Sequence, residues 1–325
     1  MITNMHFPLL KLKPFFGGQF GVPGSEAPQG LRWSPDAVVL YVDSGHADAS
    51  DNADGTNREQ PLATVQAAVS SSLLTDYSII VVNGTVEESV VTPDYVTGPS
   101  YVSIIGAGPT GYSPSWQSDA ADEPALDMRA VGWMVQGFRF LGQTAAACIE
   151  LRHTDSGADD IAIRTVIQNC LFDGLTTGQY GIWSHGCYDV WIIDCVFQLW
   201  NNVANDACGL FAGTTPLAIP YRNHIIGCVF WDNDNHAIFP CNGCEFVGNR
   251  FQQVGYAYTA VQSLNTTVGG NPGDDNLVTQ NVMTGDYSVA GGYSGGAADI
   301  WIGNMCDDVA EAEVGDNGFS ILAPT

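Results

Sequence analysis

A short pattern of apolar and polar positions returns along the chain between Trp133 and Cys306. It consists of a small or polar residue, then Cys or Asn, then one residue, then a large apolar one. It reads Asn169-Cys170-Leu171-Phe172, Asp194-Cys195-Val196-Phe197, Gly227-Cys228-Val229-Phe230, Gly248-Asn249-Arg250-Phe251, Gln280-Asn281-Val282-Met283 and Gly303-Asn304-Met305-Cys306, with Gly137-Phe138-Arg139-Phe140 as a weaker first copy. The last positions step by 32, 25, 33, 21, 32 and 23 residues. A period of roughly 20 to 50 residues is the mark of a solenoid. Ile192-Ile193 and Ile225-Ile226 run into the copies without helical spacing, so the repeated elements read as strands. Strands in register with turns of variable length between them describe a parallel β-helix, an all-β solenoid whose coils lie about 4.8 Å apart. Equivalent residues then stack. Cys170, Cys195 and Cys228 are expected to form one inward ladder, continued by Asn249, Asn281 and Asn304. Each Asn amide bonds to the next, so a buried polar group is satisfied along the column.

The flanks differ. Residues 1–36 hold five prolines and five glycines, which break regular structure, yet carry Phe7, Leu9, Leu10, Phe15, Phe16, Phe20 and Trp33. A disordered tail is poor in aromatics. This segment reads as an arm folded back on its own body or, more sharply, as an extended arm whose aromatics, with Lys11 and Lys13, dock on an apolar or acidic partner surface. Residues 37–325 read as one β-helical body. Ala37–Val42 is its first strand, and Pro61–Leu73 is the strongest helical segment, with Leu62, Val65, Val69 and Leu73 on one face. A helix over about 61–74 is expected to cap the open end of the stack. Coils are expected from about 78 to 306, interrupted by an aperiodic excursion from Gly106 to Glu123, with a short acidic end at 307–325. Second strands appear at Gly181-Ile182-Trp183, Gly209-Leu210-Phe211 and Ala237-Ile238-Phe239.

Tyr41-Val42-Asp43-Ser44-Gly45, Asp54-Gly55-Thr56 and Pro61-Leu62-Ala63-Thr64-Val65-Gln66-Ala67-Ala68 resemble the amino-terminal cap of right-handed parallel β-helix proteins, the superfamily of pectate-lyase-like enzymes and phage tailspikes. With the coils, the resemblance covers residues 37 to about 306. It implies the fold, but the superfamily spans lyases, hydrolases, epimerases and non-catalytic virion proteins, so function must come from the site.

Charge then narrows the partners. The chain has 35 acidic and 10 basic residues, net charge -25. In residues 1–35, Lys11, Lys13 and Arg32 face only Glu26, leaving +2; residues 36–325 carry 7 basic against 34 acidic residues, -27. Such a body repels nucleic acid and anionic membranes. No apolar run approaches a membrane span and no signal peptide is legible at the start. The nine cysteines read as reduced and buried. Cys241-Asn242-Gly243-Cys244 has the spacing of half a zinc site, with nothing to complete it. Ser50–Gly55 imitates part of a calcium loop, but Pro61 stands where that loop needs Glu. No metal and no cofactor are therefore expected.

The resemblance also implies which chemistry to look for. Pectate lyases of this fold use an Arg or Lys base with calcium, and the coils contain no Lys. Polygalacturonase-like hydrolases use stacked Asp with Gly-His-Gly and Arg-x-Lys motifs. Here only Ser184-His185-Gly186 appears, and Asp173 aligns with Gln198 and Trp231. The remaining cluster is Trp231–His236 with Asp206. If the chain is an enzyme, Asp206, Asp232, Asp234 and His236 are the candidates, beside a groove of Trp183, Trp200 and Trp231. The expectation is instead a non-enzymatic virion protein, a capsid decoration protein or short spike. The resemblance to phage proteins implies a homotrimer, anchored by its arm to the major capsid or another virion protein, with a glycan as a further ligand. A tailspike-type polysaccharide depolymerase is the alternative.

Overall fold

The computed structural model describes residues 36–108, 113–153, 160–201, 207–213, 219–252, 262–265, 267–268, 271–272, 275–284, 293–295 and 298–306. The arm residues Phe7, Lys11, Lys13, Phe15, Phe16, Phe20 and Trp33, and the acidic end 307–325, lie outside them. Three parallel sheets of ten, nine and eight strands account for almost all the regular structure. The chain visits them in turn. Val166–Gln168 belongs to the ten-stranded sheet, Leu171–Asp173 to the nine-stranded and Tyr180–Ser184 to the eight-stranded; Trp191–Ile193 then begins the next coil.

The recurring pattern is the corner between the ten- and nine-stranded sheets. Its first residue is left-handed in every copy, with φ of 51° at Asn169 and Asp194, 65° at Gly227, 64° at Gly248, 58° at Gln280 and 68° at Gly303. That backbone favours Gly, Asn and Asp, which is why small or polar residues recur there. The second residue turns inward. Cys170, Cys195 and Cys228 are fully buried, and Asn249, Asn281 and Asn304 continue the same position at 6% exposure or less. Cys228 N–H donates to Asn249 Oδ1 (2.9 Å), Asn249 Nδ2 to Asn281 Oδ1 (3.0 Å) and Asn281 Nδ2 to Asn304 Oδ1 (2.9 Å). The last residue of the pattern fills the centre. Phe140, Phe172, Phe197, Phe230 and Phe251 pair in unbroken register, their ring centroids 4.8 to 5.2 Å apart and nearly parallel. The spacing is that of stacked strands, so backbone pairing and ring stacking reinforce each other.

Three expectations change. The helix is only Val65–Val69. Asp51 accepts the Ala63 and Thr64 amides, Glu88 accepts those of Val65 and Gln66, and Thr64 is the N-cap. Leu62 is instead bridged to Val42, and Leu73 is exposed, because Ser70-Ser71-Ser72 favours turns over helix. The Gly106–Glu123 excursion contains a rung: Ser115–Gln117 is a strand of the nine-stranded sheet, and fully buried Trp116 stacks on Phe140 at 5.4 Å. On the eight-stranded sheet Ala237, not Ile238, lies opposite Leu210 and Ile182. There the strands run close to the ring column: a Cβ on Gly209 would sit 2.9 Å from that of Phe197.

Candidate functional site

Parallel register on the eight-stranded sheet places Asp127 of Leu126–Met128 opposite Glu150 of Ala147–Leu151, followed by Trp183 and Phe211. Their neighbours Ile149, Ile182 and Leu210 point to the core, so this column faces outward. Asp127 and Glu150 are nonetheless buried, at 4% and 6% exposure, because arginines cover them. Arg152 Nε donates to Asp127 Oδ1 (3.3 Å) and its other end pairs with Glu150. Arg129 donates to Asp127 Oδ2 (2.7 Å), and Asp127 in turn holds the Arg129 guanidinium above its ordinary pKa. His185 Nε2 lies 3.4 Å from Glu150 Oε1, with its ring stacked on Trp183 at 4.4 Å. Tyr180 stacks on Phe211 at 4.4 Å, and Trp183 meets Phe211 edge-on. Two carboxylates, two guanidiniums, an imidazole and three aromatic rings thus share one face. Both oxygens of Asp127 already accept from arginines, which suits a fixed, charge-balanced binding surface better than proton transfer.

Nothing in the repeat marked this pair. The corner pattern registers the other two sheets, and Asp127 and Glu150 belong to the third, where the linking turns vary in length. The signal available was Asp127-Met128-Arg129 followed by Glu150-Leu151-Arg152, the same acid-x-Arg spacing on two successive coils.

Of the acid–base candidates read from the sequence, Asp232 and Asp234 lie near each other and His236 is buried in the core. Asp206 lies outside the described residues. Asp232 occupies a left-handed turn (φ 53°), and burial raises its carboxyl pKa. Asp234 is buried, its amide donates to Trp200 O (2.9 Å), and burial, then the nearby Asp232, raises its pKa. His236 turns the other way. It has no exposed surface, its ring lies 6.2 Å from Phe230 and 6.0 Å from Phe251, and burial lowers its pKa to about 3. It occupies the inner line that Gly181 and Gly209 leave open on earlier coils, so it is a core residue and not an acid or base for a surface ligand. The aromatic groove is also absent. Trp231 is on the nine-stranded sheet, Trp183 on the eight-stranded, and Trp200 is fully buried. Cys241 and Cys244 are buried and reduced, with Cys241 Sγ 3.3 Å from Asn276 Oδ1. Among the described residues no three His, Cys, Asp or Glu side chains converge on a metal position. No described helix is long and apolar enough to cross a membrane.

No family model and no curated protein sequence matches this chain. Solved structures do. A rhamnogalacturonan lyase superposes with a TM-score of 0.55 at 12% identity, over 83% of this chain and 73% of its own. The pectate lyase Pel9A superposes with a TM-score of 0.55 at 12% identity, over 87% of this chain and 71% of its own. The fold is the right-handed parallel β-helix. At 12% identity the likeness shows the path of the backbone alone.

Proposed function

We propose that this β-helix is a non-enzymatic structural protein of a virion, a capsid decoration protein or short spike. In this reading residues 37–325 form one rigid body, with a helical cap, coils to about 306 and an acidic end. It assembles as a homotrimer, and residues 1–36 anchor it to the major capsid or another virion protein. The observation that carries the non-enzymatic part is the placement of the acid–base candidates: His236 is inside the core, and both oxygens of Asp127 are held by Arg129 and Arg152. The virion rests on the resemblance of residues 37–306 to phage β-helix proteins. Light scattering of the purified chain and antibody detection on density-purified particles test it. A monomer absent from particles overturns it.

One observation favours a second reading, a tailspike-type polysaccharide depolymerase. Asp127 and Glu150 stand one rung apart beside Trp183, and carboxyl pairs about 5 to 9.5 Å apart serve glycoside hydrolysis. Incubation with a panel of capsular polysaccharides, read for reducing ends and unsaturated products, decides it. Product that disappears in Glu150→Gln supports the enzyme; no product from any glycan removes it.

A further inference from the structure

Five carboxylates are buried among the described residues: Asp127, Glu150, Asp173, Asp234 and Asp299. Four of them meet donors. Arg129 and Arg152 hold Asp127 and Glu150, Arg139 and Gln198 hold Asp173, and the backbone and side-chain amides of Asn276 hold Asp299. Asp234 is the exception. It is 6% exposed, and neither of its carboxylate oxygens reaches solvent or accepts a hydrogen bond. A buried carboxylate without donors is costly, because nothing replaces the water that solvated it.

The corner around Asp234 is fixed by its neighbour. Asn233 is fully buried; its Oδ1 accepts the Trp200 N–H (3.1 Å) and its Nδ2 donates to Phe197 O (3.0 Å), which ties the corner to the preceding coil. Asp234 N–H then donates to Trp200 O (2.9 Å). The same kind of bond, from Val196 N–H to Cys170 O, accompanies the pairing of Val196 with Leu171, so Asp234 stands opposite Asn201. Asn201 Oδ1 and Asp232 Oδ1 are likewise shielded from solvent and accept no hydrogen bond. Asp232 is near enough to oppose the ionisation of Asp234. His236, two residues on, does not supply the missing charge, because its ring faces Phe230 and Phe251 in the core. Four unsatisfied oxygens from three side chains therefore share one corner of two successive coils.

We propose that Asn201, Asp232 and Asp234 bind a calcium ion at this corner. All the donors are hard oxygens, which select against soft metals. Calcium accepts an irregular shell of six to eight oxygens completed by water, whereas magnesium demands a near-ideal octahedron. Its two charges balance the two carboxylates, and it would pin the left-handed turn at Asp232 to the coil before it. The ligands span 31 residues of sequence, from Asn201 to Asp232, so no contiguous metal motif announces them. The site is apart from the arginine-bound Asp127 and Glu150, and it goes beyond the virion reading without depending on it.

Terbium substitutes for calcium and luminesces when a nearby indole absorbs; Trp200 and Trp231 adjoin the ligands in sequence. The full chain, stripped with chelator, is titrated with terbium and then with calcium as competitor. Indole-sensitised emission that calcium displaces is expected. Asp234→Asn should weaken terbium binding at least about tenfold, since affinity follows ligand charge, whereas Asp48→Asn, at an exposed acid in another loop, should leave it unchanged. Thermal melts give an independent readout. Calcium should raise the melting temperature of the wild type and not that of Asp234→Asn. In chelator Asp234→Asn should melt no lower than wild type, because the amide removes a buried charge that lacks a partner. No displaceable emission, equal binding by Asp234→Asn, or a loss of stability in chelator as large as in calcium overturns the proposal. If Asp234→Asn does not fold, Asp232→Asn is read by the same criteria. Failure of the virion reading is separate: it appears as absence from particles, whatever the metal titrations show.

Discussion

Asn281→Ala tests the polar ladder where its bonds are most concentrated. Asn281 has no exposed surface. Its Oδ1 accepts the Asn249 amide (2.9 Å) and Asn249 Nδ2 (3.0 Å); its Nδ2 donates to Phe246 O (2.9 Å) and Asn304 Oδ1 (2.9 Å). Alanine removes all four bonds at once. The Asn249 N–H and one Nδ2 hydrogen of Asn249 then lose their acceptor in a place water does not reach. Each orphaned buried group costs about 1 to 3 kcal/mol, so the substitution is expected to destabilise by about 2 to 6 kcal/mol. The control is Thr279→Ala on the same coil, which loses one exposed bond to Ile302 O (2.8 Å) and should cost less than about 1 kcal/mol. Urea unfolding followed by far-UV circular dichroism gives the free energies, and the unfolding rate serves if refolding is incomplete. An Asn281→Ala protein within about 1 kcal/mol of wild type would refute the ladder as a source of stability.

Gln280 is a non-glycine residue in the left-handed corner with a longer side chain than Asn or Asp, so Gln280→Gly should stabilise by about 0.5 to 1 kcal/mol in the same urea assay. Burial holds His236 neutral, with its pKa lowered to about 3 from the ordinary 6.5. Its contribution is therefore complete above pH 6.5 and is lost as the pH falls toward 3, by up to about 1.4 kcal/mol per unit; His236→Gln should remove that acid-side slope from a thermal melt series. Eight cysteines, from Cys148 to Cys244, are reduced and buried, and burial raises the thiol pKa of Cys148, Cys187, Cys195, Cys208 and Cys241. They should resist an aromatic disulfide reagent at pH 8 and react once guanidinium unfolds the chain. Rapid modification of Cys195 in the native protein would contradict the inward ladder.

The corner between two sheets was legible because it is written twice. Its left-handed residue restricts the side chain to Gly, Asn, Asp or Gln, and its inward residue must be small or self-pairing, as Cys195 and Asn249 are. Two constraints at adjacent positions survive irregular spacing. The left-handed corner that leads out of the eight-stranded sheet, at Gly132, Arg164, Asp189, Arg222, Gly243 and Asp275, is not confined to small residues and so leaves no legible repeat. The strands of that sheet are separated from the repeat by turns of varied length, so the offset that sets Ala237 opposite Leu210, and the stacking of Asp127 on Glu150, could not be counted from the anchors. Asp232, Asp234 and His236 looked like one cluster because they alternate in sequence. The left-handed turn at Asp232 breaks the strand before Asn235–Ile238 begins, and His236 is carried inward.

A solenoid of this kind separates its interior from its faces more sharply than a globular domain does. The interior repeats: phenylalanine rings and Cys/Asn corners recur because each coil sees the same neighbours, and that repetition fixes the fold without naming a ligand. The faces do not repeat. One carries Met134, Val166, Trp191 and Ile193; another sets Arg139 against Asp173 and Gln198; the third gathers Asp127, Glu150, Arg129, Arg152 and Trp183. Changes on a face alter few core contacts, because strand pairing and the inner column hold each rung. The same backbone path can therefore carry different chemistry on its faces in different proteins. Specificity in this chain must be sought in the two faces that break the acidic background, the apolar strip and the arginine-bound carboxylates. Substitutions confined to Val166 and Ile193, or to Arg129 and Arg152, will separate their roles while leaving the Phe172–Phe251 column intact.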